Sequence, residues 1–159
     1  MGKRITENLS IGNAKIIFRN FRGEGNDYNM EGNRNFSVVI DDPKVADNLK
    51  KEGWNIKPLR SRDPEDDPAF HLPVAVRFDK FPPVIWSIKS GRKVQMNEKN
   101  VQELDYADIK NIDLIIRPSN WERNGKSGVK AYLRTMYVEI EQDEFAAKYE
   151  DPIDDDMPF

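Results

Sequence analysis

Apolar and polar residues alternate along most of this chain, the two-residue period of half-buried β-strands. In NAKIIFRNF, Ala14, Ile16 and Phe18 fall on one face, and Lys15, Ile17, Arg19 and Phe21 on the other. RNFSVVI groups Phe36, Val38 and Ile40, and HLPVAVRF groups Leu72, Val74, Val76 and Phe78. VIWSIKSGRKVQM predicts a hairpin turning at Ser90-Gly91. NIDLIIRP aligns Ile112, Leu114 and Ile116, and VKAYLRTMYVEI reads as a long closing strand.

Two stretches break the alternation. DDPKVADNLKKEG offers Asp42 as N-cap, Pro43 in the first turn and Gly53 just past the end, which predicts a short helix. NEKNVQELDYADI starts from Asn97 and spaces Val101, Leu104 and Tyr106 roughly helically, a second short helix near Glu98–Asp105. RGEGNDYNMEGN, Arg22 to Asn33, is rich in Gly and Asn and reads as a flexible loop.

A five-stranded barrel of the OB type carries a helix between its third and fourth strands, and the Glu98–Asp105 segment falls just before NIDLIIRP and its hairpin partner. The expected fold is therefore mainly β with two short helices: a five-stranded OB-fold-like barrel, with the Pro43–Glu52 helix and the Val84–Met96 hairpin as elaborations. A β-sandwich with helices is the alternative. Trp54 and Trp86 each align with Ile or Val and are expected in the core.

Composition narrows the classes. At 159 residues the chain suits one domain. It has no cysteine, which removes disulfide frameworks and thiolate metal sites. No run approaches the roughly 18 apolar residues of a membrane helix, and MGKRITENLS has no apolar stretch behind its charges, so no signal peptide is expected. The net charge of −3 is unevenly spread: from Gln142 onward seven carboxylates face one lysine, leaving that tail at −6 and the body at +3. The expected organisation is a single OB-like domain over 1–141 and a disordered acidic tail over 142–159.

IIRPSNWERNGKSGVKAYLRTMY carries the most chemistry. Arg117, Ser119, Trp121 and Arg123 alternate along one strand, and Lys130, Tyr132 and Arg134 along the next. An even turn, for instance Asn124 to Ser127, sets Arg123 against Gly128 and Trp121 against Lys130, so that both faces coincide; an odd turn separates them. Single-stranded nucleic acid exposes phosphates, which Lys and Arg neutralise, and base faces, on which aromatics stack. Alternate residues of a strand lie about 6–7 Å apart, close to the spacing of extended nucleotides. Lys15, Arg19 and Phe21 repeat the pattern, the loop adds Arg22 and Tyr28, and Lys126 stands in the turn.

Other signals are weaker. Gly125-Lys126-Ser127 ends like a phosphate-binding P-loop, but position 120 is Asn where that motif needs Gly, and a strand follows where it needs a helix. His71 is the only histidine and has no acid or thiol partner in sequence, so it is expected to be structural or superficial. RDPEDDP clusters Asp63, Glu65, Asp66 and Asp67, which would suit Mg²⁺ in a nuclease, yet its two prolines favour a solvated loop. No catalytic residue, cofactor or metal site is assigned.

The last six residues, DDDMPF, resemble the C-terminal tip of bacterial single-stranded DNA-binding proteins, usually Asp-Asp-Asp-Ile-Pro-Phe. The resemblance implies that Asp154, Asp155, Asp156, Met157, Pro158 and Phe159 dock replication or repair enzymes. Phe159 would fill a pocket, its carboxylate meeting a basic residue. RNFSVVIDD and DLIIRPSNWERNGKSGVKAYLRTMYVEIE are similar to bacteriophage proteins of the single-stranded DNA-binding class. That likeness implies an OB-fold, no enzymatic activity, sequence-tolerant coating of single-stranded DNA in phage replication or recombination, and a place in the cytoplasm of an infected bacterium. A metal-dependent nuclease, and a phage adaptor that binds a host factor without DNA, are the competing readings. Monomer and homodimer are both open.

Overall fold

The computed structural model describes residues 5–60, 65 and 69–141. The aspartates Asp63, Asp66 and Asp67 and the whole tail with its tip lie outside the described residues. Nine strands are present among the described residues: β1 (Leu9–Ile11), β2 (Ile16–Asn20), β3 (Arg34–Ile40), β4 (Lys57–Leu59), β5 (Ala69–Val76), β6 (Val84–Lys89), β7 (Arg92–Met96), β8 (Ile109–Arg123) and β9 (Lys126–Ile140). They form one mixed sheet ordered β1-β8-β9-β5-β3-β2, with β4 on β5 and the β6–β7 hairpin on β9.

The chain is mainly β as expected, but the expected five-stranded OB-fold-like barrel does not close. The sheet is open, with β1 and β2 as its ends. Residues 12–15 cross between them: Ala14 N–H donates to Ile112 C=O at 2.7 Å, and Val39 N–H to Lys15 C=O at 2.8 Å. Only one of the two expected helices is an α-helix. It is α1 (Pro43–Glu52), where Asp42 accepts from Lys44 N–H and Gly53, at φ 116°, ends the helix as its caps predict. The second is a 3₁₀ turn, Val101–Asp105. Its carboxylate at Asp105 accepts the N–H groups of Phe21 (2.7 Å) and Arg22 (3.1 Å), fixing the exit of β2.

The core follows the alternation. Phe36, Val38, Leu72, Val74, Ile112, Leu114, Ile116, Leu133, Met136 and Val138 are all buried, each contributing about 1.5–3 kcal/mol by leaving water. Trp54 joins them, as expected. Trp86 does not. It pairs with Tyr137 on the outward face of β6, while Ile85 and Ser87 face inward, and Lys93 Nζ sits 4.4 Å from its ring centroid. Its alignment with Val84 and Ile88 is real, but that stripe is the solvent side.

The loop 22–33 is also more ordered than its composition suggests. Gly32 N–H donates to Gly23 C=O (2.8 Å), Gly25 N–H to Glu31 (2.6 Å), and Glu24 N–H to Asn20 (2.8 Å). Among the described residues no helix is long and apolar enough to cross a membrane.

Candidate nucleic-acid interface

The β8–β9 hairpin turns on two residues, Asn124 (φ 54°) and Gly125 (φ 77°), the left-handed pair that a tight hairpin turn requires. The turn is even, so the two faces coincide, though the pairs differ from the four-residue example. Arg123 opposes Lys126, Trp121 opposes Gly128, Ser119 opposes Lys130 and Arg117 opposes Tyr132. Directly opposed residues share a side. One face of the ribbon thus carries Arg117, Trp121, Arg123, Lys126, Lys130 and Tyr132. A bulge follows, at which Ile116 pairs with Leu133 and Ile115 with Thr135, so Arg134 is the extra, exposed residue.

Trp121 is 47% exposed. Its indole lies over Gly128, which has no side chain to hold it off. Lower on the ribbon, cations and rings stack: Arg117 Cζ lies 5.5 Å from the Phe81 centroid, Phe81 4.7 Å from Tyr132, and Lys130 Nζ 5.4 Å from Tyr132.

Trp121, Gly128 and Lys130 line a groove of about 620 Å³ together with the outward residues of β3 and β5. Those residues are small: Asn35 opposes Ala75, and Ser37 opposes Pro73. Large side chains of both strands go to the core, which leaves the floor open. Arg77 and Arg34 add cations to the lining. Arg77 makes a bidentate pair with Asp79 at 3.0 and 3.0 Å, which holds that carboxyl down at about 2. Arg34 meets Glu98 at 3.4 Å and leaves a buried Nε without a partner among the described residues.

A second depression, about 660 Å³, shares Asn29 and Asn35 with the first. Its lining includes Phe18, Arg22, Tyr28 and Tyr106, whose rings are 62% (Phe18), 99% (Tyr28) and 72% (Tyr106) exposed as residues. Arg22 is ion-paired with Glu24, donates to the Tyr106 hydroxyl, and lies 5.7 Å over that ring. The amides between the two depressions bond to the loop itself: Asn35 donates to Asn29 at 3.0 Å, and Asn29 to Glu24 C=O at 2.8 Å. At the margin, His71 Nδ1 is 3.0 Å from Ser37 Oγ and its ring is edge-on to Phe18 at 5.5 Å. Burial, and secondarily Lys57, lowers the His71 pKa.

Three sequence-derived site residues sit elsewhere than expected, and a fourth is in place but covered. Phe21 is fully buried and stacked on Phe36 at 5.2 Å, so it is a core residue. Arg19 donates to the carbonyls of Leu104 (2.9 Å) and Ala107 (2.8 Å), bracing the 3₁₀ turn. Lys15 lines a separate hollow with Asp108 and Glu141. Tyr132 is on the anticipated face but only 6% exposed, because Phe81 covers it. The cause for β2 is a register shift between Ile17 and Asn20, with Phe18 at φ 53°. It turns Phe18 outward, a position that strict alternation assigns to the core, and no sequence signal announces it. Tyr106 and Arg77 also line the two depressions, and neither belongs to an aromatic–basic alternation. Tyr28, Arg22, Trp121, Arg123, Lys126 and Lys130 are exposed as anticipated.

The family model described as "Putative phage ssDNA-binding domain" matches residues 1–157. The chain belongs to this phage single-stranded DNA-binding domain family. Its structure resembles that of the single-stranded DNA-binding protein of bacteriophage Enc34 in complex with ssDNA (TM-score 0.56, 11% identity, 85% of this chain and 87% of that one). It also resembles the same phage protein in a second structure (TM-score 0.55, 12% identity, 91% and 87%). At such identities the likeness is one of fold. No curated protein matches the chain in sequence. In this member of the family, the aromatic and cationic side chains gather around one open groove system. Among the described residues no three potential metal ligands cluster.

Proposed function

We propose that this protein binds and coats single-stranded DNA without sequence preference during phage replication or recombination, inside the infected cell. The observation that carries this reading is the groove pair, lined by exposed rings of Trp121, Phe18, Tyr28 and Tyr106 together with Lys130, Arg77 and Arg22. Rings stack on any base, and cations meet any phosphate. The asparagine donors between them bond to their own loop, which favours sequence tolerance. Family membership supports the same reading.

Residues 1–141 form the binding domain in this proposal, and 142–159 an acidic tail. The tip, Asp154 to Phe159, recruits partner enzymes, and the tail charges compete with DNA for the groove cations. Sequence tolerance and strand preference are tested together by titrating labelled dT, mixed-sequence and duplex oligomers, with and without Mg²⁺. The reading expects similar affinity for the single strands, weaker duplex binding, and intact DNA recovered in Mg²⁺. Equal affinity for duplex and single strand, or cleavage in Mg²⁺, contradicts it.

A further inference from the structure

We infer that the outward face of β6, β7 and the C-terminal half of β9 is a second contact surface for the same DNA strand, continuous with the groove. This rests on the single-strand-binding reading above.

The continuity is in the strand pairing. Arg117 and Ile115 lie on the same side of β8, and their partners Tyr132 and Thr135 lie on that side of β9. Tyr137 follows Thr135 on this side, with Trp86 as its direct neighbour on β6. The face that bears Trp121 and Lys130 therefore runs on, past the exposed Arg134, to Trp86 and Tyr137. From Gly128 to Tyr137 the strand rises about 30 Å, on the order of five extended nucleotides.

The chemistry repeats that of the groove. Trp86 is half-buried and Tyr137 is 38% exposed. Lys93 Nζ lies 4.4 Å from the Trp86 centroid and 6.0 Å from that of Tyr137. Lys93 lies opposite Ile88 on this outward side, whereas Lys89 and Arg92 pair on the side of Ile85 and Ser87. Among the described residues neither Lys93 nor Arg134 is ion-paired, whereas both carboxylates of this face are engaged. Glu139 meets Lys110 at 3.6 Å, and Asp113 accepts Asn13 N–H at 2.8 Å. A cation resting on a solvent-exposed ring is weakly held. A base can take its place on Trp86 while Lys93 moves to the adjoining phosphate. The ligand that suits this face carries flat rings and regularly spaced anions, which is single-stranded nucleic acid rather than an apolar peptide.

The test compares two variants of the full chain, Trp86→Ala and Lys93→Glu/Arg134→Glu. The second alters only exposed strand positions and spares the fold if the first does not. Both are titrated with dT oligomers of about 6 and about 20 nucleotides, bracketing the usual site sizes of an OB-fold. The inference expects wild-type affinity for the short oligomer, which the groove holds, and a drop of about five-fold or more on the long one. The charge variant should also show a shallower salt slope on the long oligomer, by about 0.7 for each phosphate no longer neutralised. Wild-type affinity of both variants for both lengths overturns the inference, as does an equal drop on both lengths. If the unaltered protein binds neither oligomer, the single-strand reading itself fails, and this inference with it.

Discussion

The indole of Trp121 lies so close across Gly128, its partner on the neighbouring strand, that a Cβ there would stand 2.6 Å from the ring. The contact holds an exposed aromatic flat at the groove wall without burying it. Gly128→Ala should therefore displace the ring and weaken single-strand binding, while Trp121→Ala should cost roughly 1–3 kcal/mol of binding. Thermal melting of Trp121→Ala should stay near wild type, since the ring is half in solvent. Anisotropy with a dT oligomer and a melting curve check both halves; a large fall in melting temperature for Trp121→Ala would make the ring a packing residue.

Tyr132 should behave in the opposite way. It is buried beneath Phe81, so Tyr132→Ala should destabilise the fold by about 3 kcal/mol or more, as truncation of a buried aromatic does. Chemical denaturation reads this directly. Unchanged stability with weakened DNA binding would instead mean that the ring opens to stack on a base.

These two residues also mark how far the sequence could be read. Alternation and turn chemistry are local, and they were legible: the caps of α1 at Asp42 and Gly53, the turn at Ser90-Gly91, and the shared face of Trp121 and Lys130 once the turn is even. What was hidden depends on distant segments or on a single dihedral. Phe81 covers Tyr132 from another part of the chain, the φ of 53° at Phe18 reverses which ring of β2 is exposed, and the pairing of β6 beside β9 decides which stripe of that hairpin sees water. Closure of the barrel was likewise invisible, because it turns on whether residues 12–15 pair as a strand.

Arg77 lines the groove but is neutralised by Asp79. Asp79→Asn should free the guanidinium and tighten dT binding at low salt, with the gain shrinking as ions screen it. Because the Asp79 carboxyl is held at about 2 by its hydrogen bonds to Arg77, the pair persists throughout the neutral and mildly acid range. Affinity measured at two salt concentrations checks this. A gain of equal size at both would point to a rearranged loop rather than a released charge.

His71 has a pKa below its ordinary value of 6.5, first through burial and then through Lys57. The unfolded chain therefore takes up a proton before the folded one does. The stability this supplies is complete above about 6.5 and is lost as pH falls through the lower, folded-state value. His71→Gln should flatten that part of the stability–pH curve. Parallel urea titrations of the two proteins at several pH values test it, and identical slopes would contradict the assignment.

On the proposed reading of the tail, removing residues 151–159 should tighten DNA binding at low salt and change it little at high salt. Removing Phe159 alone keeps every aspartate, so it should leave DNA affinity nearly unchanged and abolish capture of a partner enzyme. Paired binding and pull-down measurements with a purified bacterial replication enzyme separate the two. Identical behaviour of the two deletions in both assays would leave the tip without a docking role.

The central claim is that the groove walled by Trp121 and Lys130 holds single-stranded DNA by stacking and charge together. Its most direct test is the salt dependence of dT-oligomer affinity for the wild type and for Trp121→Ala/Lys130→Ala, measured side by side. The account predicts that the wild type binds with a log–log slope of about −0.7 per neutralised phosphate. The double variant should bind several-fold or more weakly, with a slope shallower by about 0.7 and an unchanged melting temperature. Wild-type affinity and slope in the double variant would contradict the account.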